Sequence, residues 1–272
     1  TNKHILEKNF INKIKFFKKN YNILSLEEIF FNIKNKIPLP PNTCAITFDD
    51  GFENNYSVAI PILEKFEIPT TFYLSTDFIN NNSMSWIDKI EYAFEKTKKS
   101  TIILPWSLKT LDINSKKKKI LVLDEIRKVL KHQNKNSIIE KVINNIFLQL
   151  EVKKINSLNS EIDKKISWSK VKKLIRSKLF TIGGHSHRHI SLTSIPLIEA
   201  KIEIDTSIKL FKKNIGINLE HYSYPEGQKK DFNVDIKKYL KKRGIKICPA
   251  AITGFNNIRS DLFNLKRIPI DV

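Results

Sequence analysis

The chain has 272 residues, 41% of them hydrophobic, and 48 Lys+Arg against 28 Asp+Glu give a net charge of +20. That length buries a substantial core in one large domain or two small ones, while no run reaches the roughly 18 consecutive apolar residues of a spanning helix and no signal-peptide pattern opens the sequence. The lysines are spread among Asn and Ile over nearly every segment, and the one dense run, Lys116 to Lys119, reads as a solvated helix face, so the charge does not mark a nucleic-acid surface.

Apolar residues at helical spacing (Ile5, Phe10, Ile11, Ile14, Phe17) predict a helix over residues 4–20. Ser25 and Glu28 make a capping box for a second helix in "SLEEIFFNIKN". "KIPLPPN" breaks that pattern and leads into a buried strand, "TCAITF". Helical spacing from Tyr56 to Phe66 and the strand "IPTTFYLS" complete a β-α-β unit, which implies a parallel pair with a right-handed crossover.

From residue 84 to about 165 the chain is lysine-rich, free of glycine and helical, through "MSWIDKIEYAFEKTKK", "KKKKILVLDEIRKVLKH" and "SIIEKVINNIFLQL". It reads as an insertion beside the main fold. Alternation then resumes with helix "SWSKVKKLIRSK", strand "LFTIGG" and a helix capped by Ser194 and stopped by Gly216. Strand "LEHYSYP", helix "FNVDIKKYLKKR" ending at Gly244, strand "IKICPAAIT" and a last strand "LKRIPIDV" follow. Repeated alternation predicts an α/β fold with a parallel sheet, open or closed into a barrel. The expected organisation is one domain over 1–272, with N-terminal helices at 1–36, a core at 40–80 and 165–272, and the insertion between them. Cys44 and Cys248 sit in apolar strand contexts and read as reduced core thiols. The expected location is the cytoplasm, with membrane association if a further segment precedes Thr1.

In such folds functional groups collect just past the carboxyl ends of strands. Asp49 and Asp50 follow "CAITF"; His185, His187 and His189, half of the six histidines, follow "LFTIGG". Imidazoles with a carboxylate suit Zn²⁺, and three protein ligands with an open position make a hydrolytic site. Four residues apart, His185 and His189 share a face on one helical turn, and His187 points elsewhere. Two adjacent carboxylates repel unless a cation lies beside them; one then binds it and the other accepts a proton. The bland alternative makes the aspartates helix caps and the histidines a loop accident, which needs two coincidences at equivalent strand ends.

"TFDDG" followed far downstream by "HSHRH" resembles the first two motifs of the carbohydrate esterase family 4 polysaccharide deacetylases, the NodB homology domain, over roughly residues 40–80 and 165–272. The resemblance implies a distorted parallel (β/α) barrel of the NodB type, carrying the helical insertion and N-terminal helices. It also implies removal of an N-acetyl group from an amino sugar with Zn²⁺ or another divalent transition metal. Carried over by motif, Asp49 is the catalytic base, Asp50, His185 and His189 are the metal ligands, and Ser186 steadies the loop. The family's R-x-P-Y motif is met by Ser223-Tyr224-Pro225-Glu226, keeping only Pro225. The backbone N–H of Glu226 then stands at the oxyanion, and Tyr224 is a candidate substrate contact.

Two of the departures bear on the catalytic groups. The arginine that braces the catalytic aspartate is Ser223, and the late L-x-H histidine that serves as general acid is Arg267, in Leu265-Lys266-Arg267. Arginine stays protonated and is a poor proton donor, so Arg267 is expected to brace Asp49 or hold substrate. His187 is then the first candidate for the acid and His221 the second. Trp86 and Trp168 are weighed as core residues ahead of sugar-stacking ones. The expected partner is an N-acetylated polysaccharide, oligosaccharide or surface-glycan precursor, including one carried on lipid at a membrane surface; no nucleic acid is expected, and the oligomeric state stays open. A second function from another class is a glycan-binding module with little or no deacetylase activity, motivated by the two departures.

Overall fold

The structure is a computed structural model that describes residues 5–131, 133, 135–154 and 163–270. The chain divides into two compact units, Ser83–Leu158 and the remainder, each with an apolar core of its own.

In the larger unit, α1 (Glu7–Asn20) buries Phe10 and Ile14. A two-residue strand, β1 (Asn22–Ile23), precedes α2 (Leu26–Asn35). The capping box forms: Glu28 N–H donates to Ser25 Oγ at 3.1 Å and Ser25 N–H donates to Glu28 Oε2 at 2.8 Å. The predicted strand "TCAITF" is two strands, because the chain changes partner at Ala45. β2 (Thr43–Cys44) pairs with β1, and β3 (Ile46–Phe48) enters the main sheet. A π-helical turn, Asn55–Ala59, leads into α3 (Ile60–Lys65). β4 (Thr70–Leu74) is buried at all five positions, as a parallel strand covered on both faces must be. The short helix α4 (Thr76–Asn81) follows directly and has no periodic signal in the sequence.

The smaller unit holds α5 (Trp86–Lys96), the antiparallel hairpin β5 (Thr101–Ile103) and β6 (Thr110–Asp112), α6 (Lys116–Lys131) and α7 (Asn136–Gln149). Its helices bury residues spaced three and four apart: Ile90, Ala93 and Phe94; Val122, Leu123, Ile126 and Leu130; Ile139, Val142, Ile143 and Ile146. The all-helical expectation missed the hairpin, whose three-residue strands are too short for a period of two to register. Residues 132, 134 and 155–162 of the predicted insertion lie outside the described residues.

The larger unit resumes with α8 (Trp168–Leu174), β7 (Phe180–Gly184), α9 (Leu197–Ile215) and α10 (Val234–Lys242). α9 begins after Pro196 instead of at Ser194, whose hydroxyl donates to Ser191 O at 2.7 Å; it stops at Gly216, φ 78°. β3, β4 and β7 form a parallel sheet in that order. Parallel bridges Gly184↔Tyr222 and His221↔Ile247 carry the order onward. "LEHYSYP" and "IKICPAAIT" thus lie in the sheet as isolated bridges and not as full strands. Pro225 and Pro249 remove ladder donors beside them. "LKRIPI" forms no strand, and residues 271–272 lie outside the described set. Among the described residues the pairings do not close a barrel; the architecture is mixed α/β with a parallel sheet. Nor is any described helix long and apolar enough to cross a membrane.

α2 packs on the sheet through Leu26 and Ile29, which cluster with Tyr73, Ile247 and Leu265. Glu27 accepts a hydrogen bond from Thr181 Oγ1 at 2.6 Å and lies 3.2 Å from His221 Nε2. Burial opposes its charge, but His221 and Thr181 prevail and lower the carboxyl from 4.5 to about 2. A depressed folded-state pKa contributes stability that is complete above the unfolded value and is lost as pH falls through the folded one. Urea midpoints measured between pH 5 and 2 should therefore fall less steeply for Glu27→Gln than for the parent chain; parallel curves would remove the pair from the acid response.

Candidate metal centre and catalytic carboxylate

Asp49 and Asp50 leave the carboxyl end of β3 in a sharp turn. Asp50 has φ 72° and Gly51 φ 88°, and Gly51 N–H donates to Asp49 O at 2.9 Å. Left-handed backbone at a non-glycine residue costs of order 1 kcal/mol. The turn is held from outside by Ile166 N–H on Gly51 O (2.9 Å) and Glu53 N–H on Lys164 O (2.7 Å). The two aspartate side chains point to opposite partners, and each is 30% exposed.

His185 follows β7 and is 2% exposed. Its N–H donates to Leu74 O at 3.0 Å, and its Nδ1 lies 2.9 Å from Ser223 O. A carbonyl accepts only, so Nδ1 carries the proton and Nε2 presents its lone pair. Nε2 is 3.5 Å from Asp50 Oδ1, and His189 Nε2 is 3.0 Å from the same oxygen. The ligand atoms of Asp50, His185 and His189 all lie within 4.8 Å of one another. One carboxylate and two imidazoles, half-buried to buried and convergent, fit a divalent transition ion with open positions.

Burial and neighbouring charge oppose each other at all three groups. Burial disfavours the Asp50 carboxylate, yet His189, His185 and Lys165 hold it well below the ordinary range. Burial likewise works against protonated His189, and Asp50 overcomes it, raising the imidazole to about 9. His185 is lowered, chiefly by burial.

The sequence predicts a helical turn joining His185 to His189; none forms. Ser186 (φ 58°) and His189 (φ 55°) are left-handed and fold the loop back, bringing the two rings to 4.9 Å between centroids. Ser186 anchors the loop through its backbone: its N–H donates to Tyr222 Oη at 2.9 Å, while its buried hydroxyl has no partner among the described residues. Two residues unread in the sequence complete the support. Glu203 of α9, 3% exposed, accepts from His187 N–H (3.2 Å), Arg188 N–H (2.8 Å) and Arg188 Nε (2.6 Å). Lys165, 5% exposed, lies 3.5 Å from the Phe52 ring centroid and 4.9 Å from that of Phe78. Phe78 in turn stacks on His189 at 5.5 Å. Only burial of a charged residue signals such positions, and burial is not visible in a local pattern.

Arg267 reaches Asp49 with both ends of its fork. Nη1 donates to Oδ1 at 2.8 Å and Nη2 to Oδ2 at 2.8 Å. Burial works against the Asp49 charge, and Arg267 and His185 hold its carboxyl below the ordinary value.

The remaining candidates fall in other places. His187 Nδ1 lies 2.8 Å from Thr76 Oγ1 at the start of α4, and its carbonyl accepts Asp77 N–H at 2.9 Å. His221 sits beside Gly183 and Gly184 in the sheet, and its Nε2 lies 3.2 Å from Glu27 Oε1 instead of turning to the proposed ligands. Tyr224 is 0% exposed, stacks on Phe232 at 4.2 Å and donates to Phe263 O at 3.1 Å. Its ring is a core ring, which corrects the expectation of a substrate contact. Pro225 and Glu226 form a tight turn: Gly227 N–H donates to Pro225 O at 2.7 Å, and Glu226 is left-handed at φ 61°. Trp168 packs edge-on against Phe211 at 5.3 Å and donates to Asn80 Oδ1 at 2.6 Å; Trp86 belongs to the core of the smaller unit.

Three solved structures with the same fold are deacetylases. The Streptococcus pyogenes deacetylase PplD, in complex with acetate, superposes with a TM-score of 0.60 at 16% identity, covering 97% of this chain and 81% of its own. The deacetylase domain of BpsB from Bordetella bronchiseptica gives 0.59 at 16%, covering 94% and 82%. A de-N-acetylase from Aggregatibacter actinomycetemcomitans gives 0.59 at 17%, covering 100% and 89%. No curated protein matches the chain significantly in sequence. The sequence profile of the polysaccharide deacetylases, however, matches residues 36–248, a span that takes in both aspartates, the histidine loop and the Pro225 turn, and the chain belongs to that family.

Proposed function

We propose that this protein is a metal-dependent hydrolase that removes the N-acetyl group from an amino sugar in a polysaccharide, oligosaccharide or surface-glycan precursor. The observation that carries the reading is the convergence of Asp50, His185 and His189 within 4.8 Å, with the Arg267-held carboxylate of Asp49 beside them. Zn²⁺ or a similar ion held by that triad supplies Lewis acidity toward a water molecule and toward the amide carbonyl oxygen.

The protein groups divide the rest of the work. Asp49 takes the proton from the attacking water, its orientation fixed by Arg267 so that no reorganisation is needed as the proton moves. The backbone N–H of Glu226 is assigned to the oxyanion, where a preset donor is worth most. Arginine at the late-motif position leaves no imidazole there, and His187 is tied to Thr76. We therefore assign the second proton transfer to Asp49 as well, which returns its proton to the departing amine.

The free thiols of Cys44 and Cys248 suit a reducing, cytoplasmic setting. The deciding measurement is acetate release by zinc-loaded protein from N-acetylated sugar nucleotides, lipid-linked sugars and polymers. Acetate from at least one class supports the reading. Tight glycan binding with zinc bound and no acetate from any class would favour a glycan-binding module instead.

A further inference from the structure

Among the described residues the Arg267 guanidinium donates five hydrogen bonds, all to protein acceptors. Nε donates to Ala250 O at 2.8 Å; Nη1 to Asp49 Oδ1 at 2.8 Å and Thr47 Oγ1 at 3.2 Å; Nη2 to Asp49 Oδ2 at 2.8 Å and Ser223 Oγ at 3.1 Å. A guanidinium has five N–H donors, so the protein matches every one of them and leaves none for a substrate. The side chain is only 18% exposed. Ser223 takes part on the other side: wholly buried, it accepts from Arg267 and donates onward to Pro249 O at 3.4 Å. With Nη2 already 3.1 Å from Ser223 Oγ, a longer side chain at 223 collides with the guanidinium.

We infer that Arg267 and Ser223 are an exchanged pair, in which Arg267 is the positioning residue for Asp49 and Ser223 is small because the guanidinium has come from the other side. The sites are 44 positions apart in sequence yet form one unit: the arginine needs a small hydroxyl at 223, and the hydroxyl accepts the fifth donor. Position 267 thereby serves neither as proton donor nor as substrate clamp.

The inference rests on the deacetylase reading, and its test separates the two. In Arg267→Ala, kcat should fall about 100-fold or more while KM stays within about threefold and bound zinc is unchanged, because orientation of the base is lost and substrate contacts are not. Free guanidinium, or a second substitution giving Ser223→Arg/Arg267→Ala, should restore at least about tenfold of that loss, whereas Ser223→Arg alone should be impaired by crowding. A rise in KM with kcat retained, or failure of both rescues, would overturn the inference. A reading free of turnover comes from urea unfolding. Asp49→Asn/Arg267→Ala should lose no more midpoint than Arg267→Ala alone, since the two residues act as one pair; additive losses would count against it. Absence of acetate from the parent chain sinks the deacetylase reading and leaves this unfolding cycle able to decide the pairing.

Discussion

Asp49→Asn is expected to bind zinc at the parent stoichiometry and to lose about 10³-fold or more in kcat, the range spanned by removal of a general base. The amide is isosteric and keeps one of the two Arg267 bonds, with its oxygen opposite Nη1. Its NH₂ then faces Nη2, donor against donor, at the position now spanned by 2.8 Å. Turnover therefore fails for two reasons that act on the same atom: no lone pair of sufficient basicity, and a fork held by one prong. Metal analysis beside an acetate assay checks the result. An Asp49→Asn variant as active as the parent, with zinc bound, would remove Asp49 from both proton transfers.

His185→Ala should abolish both metal binding and activity. His185 is the most buried of the three proposed ligands, and its ring is set by a backbone carbonyl on the far side, Ser223 O at 2.9 Å. Losses in oriented imidazoles of this kind reach 10- to 100-fold in metal affinity even when only the supporting partner is removed, so deletion of the ligand itself should exceed about 100-fold. Excess zinc should raise the melting temperature of the parent by several degrees, because an ion that binds only the folded chain adds RT ln(1 + [L]/Kd) to its stability. The variant should show no such rise. A zinc-dependent rise of equal size in His185→Ala would exclude this imidazole from the ligand set.

Local chemistry made much of this protein legible in its sequence. The Ser25–Glu28 capping box, the β-branched and aromatic β4 and the Gly216 stop each follow from residues within one turn or one strand. The placement of "FDD" and "HSHRH" at strand ends follows from hydrophobic runs directly before them. What was not legible depends on contacts between distant segments. The helical turn expected between His185 and His189 fails because Glu203 of α9 and Tyr222 hold the loop in a left-handed fold. Tyr224 reads as a polar aromatic near a motif, and only packing on Phe232 shows it to be core. "LEHYSYP" has strand composition, but a proline at its end leaves it two isolated bridges, one to each neighbour. Whether Arg267 would brace a base or hold a substrate depends on a count of acceptors around it, which no spacing rule supplies.

The left-handed residues at Asp50, Ser186, His189 and Glu226 have a consequence for how this sequence can drift. At those positions β-branched and bulky side chains are excluded by the backbone before chemistry is consulted, whereas Gly, Asn and Asp are admitted. A library selected only for folded protein would already be narrowed there, with Ser186 and Glu226 converging on the small permissive set. Variation at these four sites therefore reports chain geometry first. Thr47 and Ser223 carry no such constraint on φ, and their tolerance to exchange would report the base and its arginine.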